Sequence, residues 1–214
     1  MQPLKWIWLR HARPLVEKGY IYGAEETVPL NLTGPKTIAA FKAIAGILPE
    51  NLHIECSASP RAQTSLEHIL SYRDDSPDIH LNDRFMEQSF GDWTGKFQKD
   101  IPPQETADYR RDLDHFGPPG GESGNVFKAR VSDEIDRINQ SYKNGGISAS
   151  TILVSGHGGV TRAALAKAWN IPFSRATAQP VRRLSVTEIQ WNPEDTQRPW
   201  NIISINRTLS PDRS

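Results

Sequence analysis

Cysteine and long hydrophobic runs are both scarce in this sequence. Cys56 is the single cysteine among 214 residues, which excludes an internal disulfide bond and a zinc site built from cysteines. The first apolar segment is interrupted by Lys5 and followed closely by Arg10, so it is too short for the hydrophobic region of a secretory signal. No other segment approaches the length of a transmembrane helix. We therefore expect a cytoplasmic protein that does not bind a membrane.

An excess of charge of either sign is also missing. Lysine and arginine together number 25, and aspartate and glutamate together also number 25. No broad basic surface is then available to hold nucleic acid or an anionic membrane, so any anionic ligand must be held by a local cluster. The fractions of hydrophobic residues (37%) and charged residues (23%) are those of a globular protein. The length fits one domain over residues 1–214.

Short apolar segments alternate with amphipathic helical patterns along the chain. The predicted strands begin at Leu4, Leu52, Ile79, Thr151, Leu184 and Trp200. Helical spacing of apolar residues follows most of the early strands, and a long amphipathic helix precedes Thr151. The alternation predicts an α/β fold in three layers, with a mostly parallel central sheet between helices. Residues 211–214 are expected to form a loose end.

The segment 96–121 departs from this alternation because it is charged and rich in proline. Long irregular insertions of this kind often cover a functional site. We expect a small, partly helical insertion that acts as a lid.

Polar side chains of complementary type follow three of the predicted strands. Arg10 and His11 end the first strand, Arg61 follows the second, and His157 follows the central one. The carboxyl ends of parallel strands lie at one edge of a sheet, where open α/β sheets bind ligands. Arginine side chains hold phosphate or carboxylate through their fork geometry, and Gly158 opens a helix whose amino terminus adds affinity for an anion. We predict a site for a compact dianion, and phosphate fits best.

The histidines beside such an anion indicate phosphoryl transfer. One histidine can attack phosphorus while the other helps the arginines to stabilise charge in the transition state. Glu87 is the carboxyl best placed to protonate the leaving oxygen, and Asp83 or Glu122 are alternatives. A metal site at His11 and His157 is a poorer interpretation because the arginines would repel a cation and no acidic cluster accompanies them. We therefore predict neither a metal nor a cofactor.

Six ordered landmarks resemble the histidine phosphatase superfamily in its phosphoglycerate-mutase-like branch. They are Arg10-His11-Ala12, Pro29-Leu30 with Thr33-Gly34, Ser57 to Thr64, Glu87 to Gly95, Pro119 to Ser123, and His157 to Val160. The resemblance implies that His11 is the phosphorylated nucleophile and that Glu87 is the proton donor. It also implies that Arg10, Arg61 and His157 complete the phosphate pocket.

The loop after His11 departs from the family pattern. Many members continue with Gly-Glu-Thr and then an asparagine that touches the phosphoryl group, whereas this chain has Ala12, Arg13, Pro14 and Glu17. Arg13 adds positive charge near the site, where it either contacts substrate or is an ordinary surface arginine. Glu17 either orients Arg13 or is solvated.

The leading hypothesis is a metal-independent phosphomonoesterase that acts through a phosphohistidine on a small phosphorylated metabolite, as in small phosphatases that resemble α-ribazole phosphatase. A cofactor-dependent phosphoglycerate mutase is the first alternative, and the altered loop after His11 argues mildly against it. A catalytically silent phosphoester-binding module is the second alternative, and the complete set of chemical groups argues against it. Apolar residues at a sheet edge could support a homodimer.

Overall fold

The computed structural model describes residues 1–24 and 26–209, and one six-stranded sheet forms its centre. The strands are β1 (Leu4–Arg10), β2 (His53–Ser57), β3 (Ile79–Asn82), β4 (Thr151–Gly156), β5 (Ser185–Trp191) and β6 (Trp200–Thr208). Their order across the sheet is β3-β2-β4-β1-β5-β6. The expected loose end at 211–214 lies outside the described residues.

Strand direction divides the sheet into two parts. The strands β3, β2, β4 and β1 run parallel to one another. By contrast, β5 runs antiparallel to β1, and β6 runs antiparallel to β5. The sheet is therefore mixed and mostly parallel, as the sequence predicts. One consequence is that β5 begins at the edge of the sheet where β1 ends.

Six α-helices connect or flank the strands in the described residues. They are α1 (Pro35–Ile47), α2 (Pro60–Leu70), α3 (Pro103–Arg111), α4 (Gly124–Lys143), α5 (Gly158–Trp169) and α6 (Phe173–Ala176). The first three begin at proline, whose missing N–H costs nothing in the first turn of a helix. The hydroxyl of Ser123 accepts a hydrogen bond from the Val126 N–H and caps α4. None of the helices in the described part of the chain is long and apolar enough to cross a bilayer.

Alternate residues of β1 contribute to two hydrophobic cores on opposite faces of the sheet. Trp6 and Trp8 pack in one core with residues of α4 and α5, such as Phe127. Ile7 and Leu9 belong to the other core, with residues of α1 and α2. Successive strand residues point to opposite faces, so this strand is buried on both sides. The three-layer arrangement predicted from sequence is confirmed.

The insertion at 96–121 contains α3 and packs against the loop that follows β1. Tyr20 and Phe97 form an isolated antiparallel bridge, and the Gln98 N–H donates to the Gly19 carbonyl (2.7 Å). The Trp93 indole N–H donates to Glu105 in α3 (2.8 Å). The insertion thus lies beside the carboxyl end of β1, as expected of a lid. That residues 1–214 form a single domain stays a prediction.

Candidate active site

Two neighbouring parallel strands deliver the two histidines to the same place. Arg10 is the last residue of β1 and pairs with Gly156, the last residue of β4. His11 follows the first of these strands, and His157 follows the second as the N-cap residue of α5. Their ring centroids are 5.3 Å apart. The fold therefore brings together two histidines that are separated by most of the chain.

The His11 ring is oriented by its own backbone. Its Nδ1 atom lies 2.7 Å from the carbonyl oxygen of Ala12, and because a carbonyl can only accept, Nδ1 carries the proton and Nε2 holds a lone pair. Burial lowers the pKa of His11 well below its ordinary value, and His157 and the nearby arginines lower it further. His11 is thus a neutral imidazole with an unprotonated Nε2, as a nucleophile requires.

His157 is also enclosed and neutral. Burial lowers the pKa of His157 well below its ordinary value, with added repulsion from Arg61 and Arg10. Its Nε2 atom lies 2.8 Å from the Ser57 hydroxyl oxygen. When the hydroxyl donates to Nε2, the neutral ring carries its proton on Nδ1. Within residues 1–24 and 26–209, Nδ1 has no hydrogen-bond partner, so it remains available to donate.

Arg61 is fixed by the loop that precedes α1. Its Nη1 donates to the carbonyl oxygens of Gly23 (3.0 Å), Ala24 (3.2 Å) and Glu26 (3.3 Å). Its guanidinium lies over the ring of Tyr22, 5.2 Å from the centroid. Burial lowers the pKa of Arg61, and its remaining Nε and Nη2 donors are buried without a partner among the described residues.

Arg10 is held in a similar way and also keeps a donor unpaired. Its Nη1 donates to the carbonyl of Val181, while its buried Nε has no partner in the part of the chain that the structure describes. Burial, helped by repulsion from Arg183, lowers the pKa of Arg10 to about 10, so the side chain is still charged at neutral pH. Buried donors without acceptors are unfavourable, and anionic oxygens are the acceptors that suit them. Arg10, Arg61 and His157 together form a donor set suited to a phosphate.

Glu87 is the carboxylate that reaches this pocket. Its Oε2 accepts a hydrogen bond from the Gly159 N–H (3.2 Å), in the first turn of α5. The two alternatives are placed differently: Glu122 is paired with Arg130 (2.7 Å), and Asp83 is exposed. The geometry therefore favours Glu87 over both as the acid, although its role stays a prediction.

Gly158 and Gly159 allow Arg10 and Glu87 to approach the first turn of α5. A Cβ atom at Gly158 would lie 3.0 Å from the guanidinium carbon of Arg10. A Cβ atom at Gly159 would lie 2.1 Å from Glu87 Oε1, which is closer than real contacts allow. Glycine is required at the second position for Glu87 to keep this place.

Arg13, by contrast, is solvent-exposed. Its backbone carbonyl accepts a hydrogen bond from the Asn31 N–H (2.8 Å). It is absent from the residues that line the cavity beside Arg10 and Glu87, so a role for its side chain toward substrate stays a prediction. Glu17 is exposed as well.

Two residues that the sequence did not single out contact the site. Arg183 lies just before β5, and its Nη1 is 3.0 Å from His11 Nε2. Its Nη2 donates to the hydroxyl of Tyr22. The sequence shows a basic pair, Arg182-Arg183, before a predicted strand. In a wholly parallel sheet, this pair would lie at the amino ends of the strands, at the edge opposite the site. The antiparallel direction of β5 places it beside His11.

A metal site would need several histidine, cysteine or carboxylate side chains close together. In residues 1–24 and 26–209, no three histidine, cysteine or carboxylate side chains are grouped closely enough to hold a metal ion.

Comparison with known families identifies the family of this chain. The sequence model of the histidine phosphatase superfamily (branch 1) matches residues 6–203. The chain belongs to the histidine phosphatase superfamily. This result confirms the resemblance found in the sequence, and membership in this family makes the chain an enzyme of the phosphatase class. No curated protein sequence matches it at a significant level.

Solved structures of two phosphatases share the fold over nearly the whole chain. The alpha-ribazole phosphatase from Shigella flexneri superposes with a TM-score of 0.78 at 21% identity, covering 99% of this chain and 100% of that one. A mycobacterial glucosyl-3-phosphoglycerate phosphatase superposes with a TM-score of 0.77 at 22% identity, covering 97% of this chain and 100% of that one. Another structure of that mycobacterial enzyme is a complex with VO3. At these identities the likeness concerns the fold.

Proposed function

We propose that this protein is a metal-independent phosphomonoesterase that forms a phosphohistidine at His11. The observation that carries the proposal is a neutral, buried His11 close to Arg10, Arg61 and His157, each of which keeps a buried donor without a partner among the described residues. A nucleophile beside a preorganised set of donors is the arrangement that phosphoryl transfer requires. The substrate is a small phosphorylated metabolite.

In the first step, His11 Nε2 attacks phosphorus and the bond from phosphorus to the ester oxygen breaks. The protonated carboxyl of Glu87 gives its proton to that oxygen, so the alcohol leaves neutral and Glu87 becomes a carboxylate. Arg10, Arg61 and His157 hold the equatorial oxygens, where charge is spread in the transition state. Because Nδ1 donates to Ala12 throughout, the ring keeps its orientation.

In the second step, water attacks the phosphoryl group of phospho-His11. The Glu87 carboxylate takes a proton from the water, and the bond from Nε2 to phosphorus breaks. Inorganic phosphate leaves, His11 is neutral again, and Glu87 is protonated for the next substrate. The same carboxyl thus acts as acid and then as base.

The decisive experiment is hydrolysis of p-nitrophenyl phosphate by the purified protein in the presence of a chelator. We expect activity in the parent and a loss of about 10³-fold or more in His11→Ala, because the nucleophile is gone. His80→Ala is the matched control, since His80 is exposed on β3, and it should leave the rate unchanged. An inactive parent, or a His11→Ala variant as fast as the parent, would show that this mechanism is wrong. Activity only with 2,3-bisphosphoglycerate and 3-phosphoglycerate would favour a mutase.

Orthovanadate provides an independent test. Its trigonal-bipyramidal adduct with a histidine mimics the transition state, and such analogues bind far more tightly than substrates. We expect inhibition at micromolar concentration that competes with substrate. Insensitivity at millimolar concentration would contradict a covalent phosphohistidine.

A further inference from the structure

A cavity of about 400 Å³ lies beside Arg10 and Glu87, between the loop after β1 and the insertion. Its other lining residues are Gly19, Tyr20, Ile21, Tyr22, Phe90, Trp93, Gln98, Ile101, Thr106, Tyr109 and Arg110. The volume falls in the range of pockets that bind small molecules. Because Arg10 and Glu87 also belong to the proposed catalytic site, this cavity is where the alcohol part of a phosphomonoester would lie.

The aromatic side chains of this cavity have their polar atoms bound to the protein. The Tyr20 hydroxyl donates to Glu26 (2.5 Å), and the Trp93 indole N–H donates to Glu105 (2.8 Å). The Tyr109 hydroxyl donates to Gln88 (3.4 Å). With these polar groups engaged, the rings present mainly apolar surface to the cavity.

Charge in the cavity is concentrated at the reacting end. Apart from Arg10 and Glu87, Arg110 is the one charged residue among the described residues that line it, and Arg110 is exposed. A substrate carboxylate or second phosphate bound in the cavity away from Arg10 would lose its hydration without gaining a buried cation. Such burial of an unpaired charge is unfavourable.

We propose that the substrate is the phosphomonoester of an alcohol whose carbon skeleton is apolar and carries an aromatic ring. The proposal rests on the proposed phosphatase function and adds the chemical class of the leaving alcohol. The ring would pack against Phe90 and Tyr109, with its phosphoryl group at His11. Aromatic pairs of this kind stabilise a complex beyond the burial of their area.

A comparison of two substrates with leaving alcohols of similar acidity tests this class. We expect kcat/KM for 2-phenylethyl phosphate to exceed that for glycerol 1-phosphate by about tenfold or more, through the apolar surface buried. Phe90→Ala and Tyr109→Ala should each lower kcat/KM for the aromatic ester several-fold more than kcat/KM for the glycerol ester. Tyr72→Ala is the control, since Tyr72 is 43% exposed and outside the cavity.

The outcomes separate this proposal from the proposed function. Equal or faster hydrolysis of glycerol 1-phosphate, still dependent on His11, would overturn the substrate class and keep the phosphatase. Unchanged selectivity in both cavity variants would also overturn the substrate class. Failure of both esters and of p-nitrophenyl phosphate would instead reject the phosphatase function.

Arg183 contacts the proposed nucleophile, His11, directly. Its Nη1 donates to His11 Nε2 at 3.0 Å, so the lone pair that would attack phosphorus is engaged in a hydrogen bond. Its Nη2 donates to the hydroxyl of Tyr22, and its guanidinium carbon lies 5.9 Å from the centroid of that ring.

The loop that carries Arg183 is tied to Arg10 from both sides. The Leu184 N–H donates to the Arg10 carbonyl (3.0 Å), and the Arg10 side chain donates to the Val181 carbonyl. Leu184 has a left-handed backbone (φ 53°), which is unfavourable for a residue with a Cβ atom. Strain of this kind persists where surrounding contacts hold it, and it occurs often at functional sites. The loop is thus built to keep Arg183 beside His11.

We infer that Arg183 is a third phosphoryl-binding arginine that covers His11 Nε2 in the free enzyme and moves its hydrogen bond to the phosphoryl group when substrate binds. A phosphate dianion is a stronger acceptor for a guanidinium than a neutral imidazole nitrogen. Transfer of the hydrogen bond would therefore release the nucleophile and bind the group it attacks in one movement. Arg183 is in this sense a catalytic residue.

Two measurements with Arg183→Met should change in opposite directions. We expect kcat/KM to fall by about 10²–10³-fold and orthovanadate inhibition to weaken by a similar factor, because a charged donor to the phosphoryl group is lost. We also expect diethyl pyrocarbonate to acylate His11 faster in the free variant than in the parent, because Nε2 is no longer covered. Peptide mass spectrometry would locate the acylated histidine.

Two further variants give the controls. Arg183→Lys should recover little activity, since an ammonium lacks the fork that spans two acceptors. Arg182→Met should match the parent in every measurement, because Arg182 is exposed. Parent-like kcat/KM and vanadate inhibition in Arg183→Met would overturn the binding role. Acylation of His11 no faster than in the parent would overturn the covering role, and this readout does not depend on phosphatase activity.

Discussion

In the described residues, the hydrogen bonds to the Glu87 carboxyl all come from backbone N–H groups. Gln88 N–H donates to Oε1 (3.1 Å), and Gly159 N–H donates to Oε2 (3.2 Å). The carboxyl therefore sits at the amino terminus of α5 without a lysine or arginine ion pair among the described residues. This placement sets two expectations at the scale of single residues.

The first expectation concerns the leaving group. Glu87→Gln should lower kcat for an alkyl phosphomonoester by about 10²–10⁴-fold, the usual contribution of a general acid. The same variant should lower kcat for p-nitrophenyl phosphate much less in the phosphorylation step, because p-nitrophenolate leaves without a proton. Steady-state and burst kinetics on both substrates provide the measurement, with Asp83→Asn, at an exposed position, as the control. Equal losses in the phosphorylation step of both substrates would argue against proton donation by Glu87.

The second expectation concerns Gly159. An added methyl group would lie 2.1 Å from Glu87 Oε1, so Gly159→Ala should displace Glu87 and reproduce the pattern of Glu87→Gln. Gly46→Ala is the matched control, because Gly46 lies in α1 with nothing within 4 Å of an added Cβ. The control should stabilise the fold by up to about 1 kcal/mol, as alanine favours a helix more than glycine does. The kinetic measurement and a urea titration of both variants test this. Parent-like hydrolysis of alkyl esters by Gly159→Ala would contradict the placement of Glu87.

At the scale of elements, α4 holds the segment that carries Glu87. Arg130 pairs with both oxygens of Glu122 (2.8 and 2.7 Å). The same guanidinium donates to the carbonyls of Arg84 (2.8 Å), Met86 (3.2 Å) and Glu87 (3.4 Å). The Arg130 side chain thus connects α4 to Glu122 and to residues 84–87, which makes it a positioning residue for Glu87.

Arg130→Ala should therefore affect both stability and the acid step. The Arg130 and Glu122 side chains are 20% and 16% exposed, so breaking the pair should cost about 1–3 kcal/mol, less than for a fully buried pair. We expect kcat for alkyl esters to fall more than kcat for p-nitrophenyl phosphate, because Glu87 loses its support. Arg175→Ala, at an exposed position of α6, is the control. Equal losses in the phosphorylation step of both substrates would contradict a role of Arg130 in positioning Glu87 as the acid.

At the scale of the whole molecule, folding encloses two histidines in neutral form among arginines. Burial is the largest cause of the lowered pKa of His11 and of His157, and repulsion from neighbouring groups adds to it. The unfolded chain, where a histidine has an ordinary pKa of about 6.5, binds more protons than the fold below that pH. The two neutral histidines should therefore make their full contribution to the free energy of unfolding above about pH 6.5. This contribution should decline as the pH falls toward the folded pKa values.

This linkage gives a direct measurement. Urea unfolding at about pH 7.5, 6.5 and 5.5 should show stability falling below pH 6.5 by at most about 1.4 kcal/mol per pH unit for each histidine. His157→Gln should reduce that slope. Saturating inorganic phosphate should also reduce it, since a bound dianion favours the charged imidazole. Stability that stays constant between these pH values would contradict the neutral, buried state of the two histidines.

The sequence by itself determined the fold class and the central part of the candidate site. Arg10, His11, Arg61 and His157 each follow a strand of the parallel part of the sheet, and such strands end at one edge whatever the details of packing. The role of the glycines after His157 is equally predictable from sequence, because a close approach to the first turn of a helix needs the absence of a Cβ atom. Local pattern and handedness were sufficient for these residues.

Tertiary structure decided the rest. The antiparallel direction of β5 brings Arg183 to His11, and no pattern within residues 184–191 reports which way a strand runs beside its neighbour. The pairing of Glu122 with Arg130 and the exposure of Asp83 distinguish Glu87 from its alternatives, and both depend on α4. The aromatic cavity forms only where the insertion meets the loop after β1. The first and third of these features join segments far apart in the chain, and the second depends on how side chains pack against α4. All three are therefore set by packing and not by local sequence.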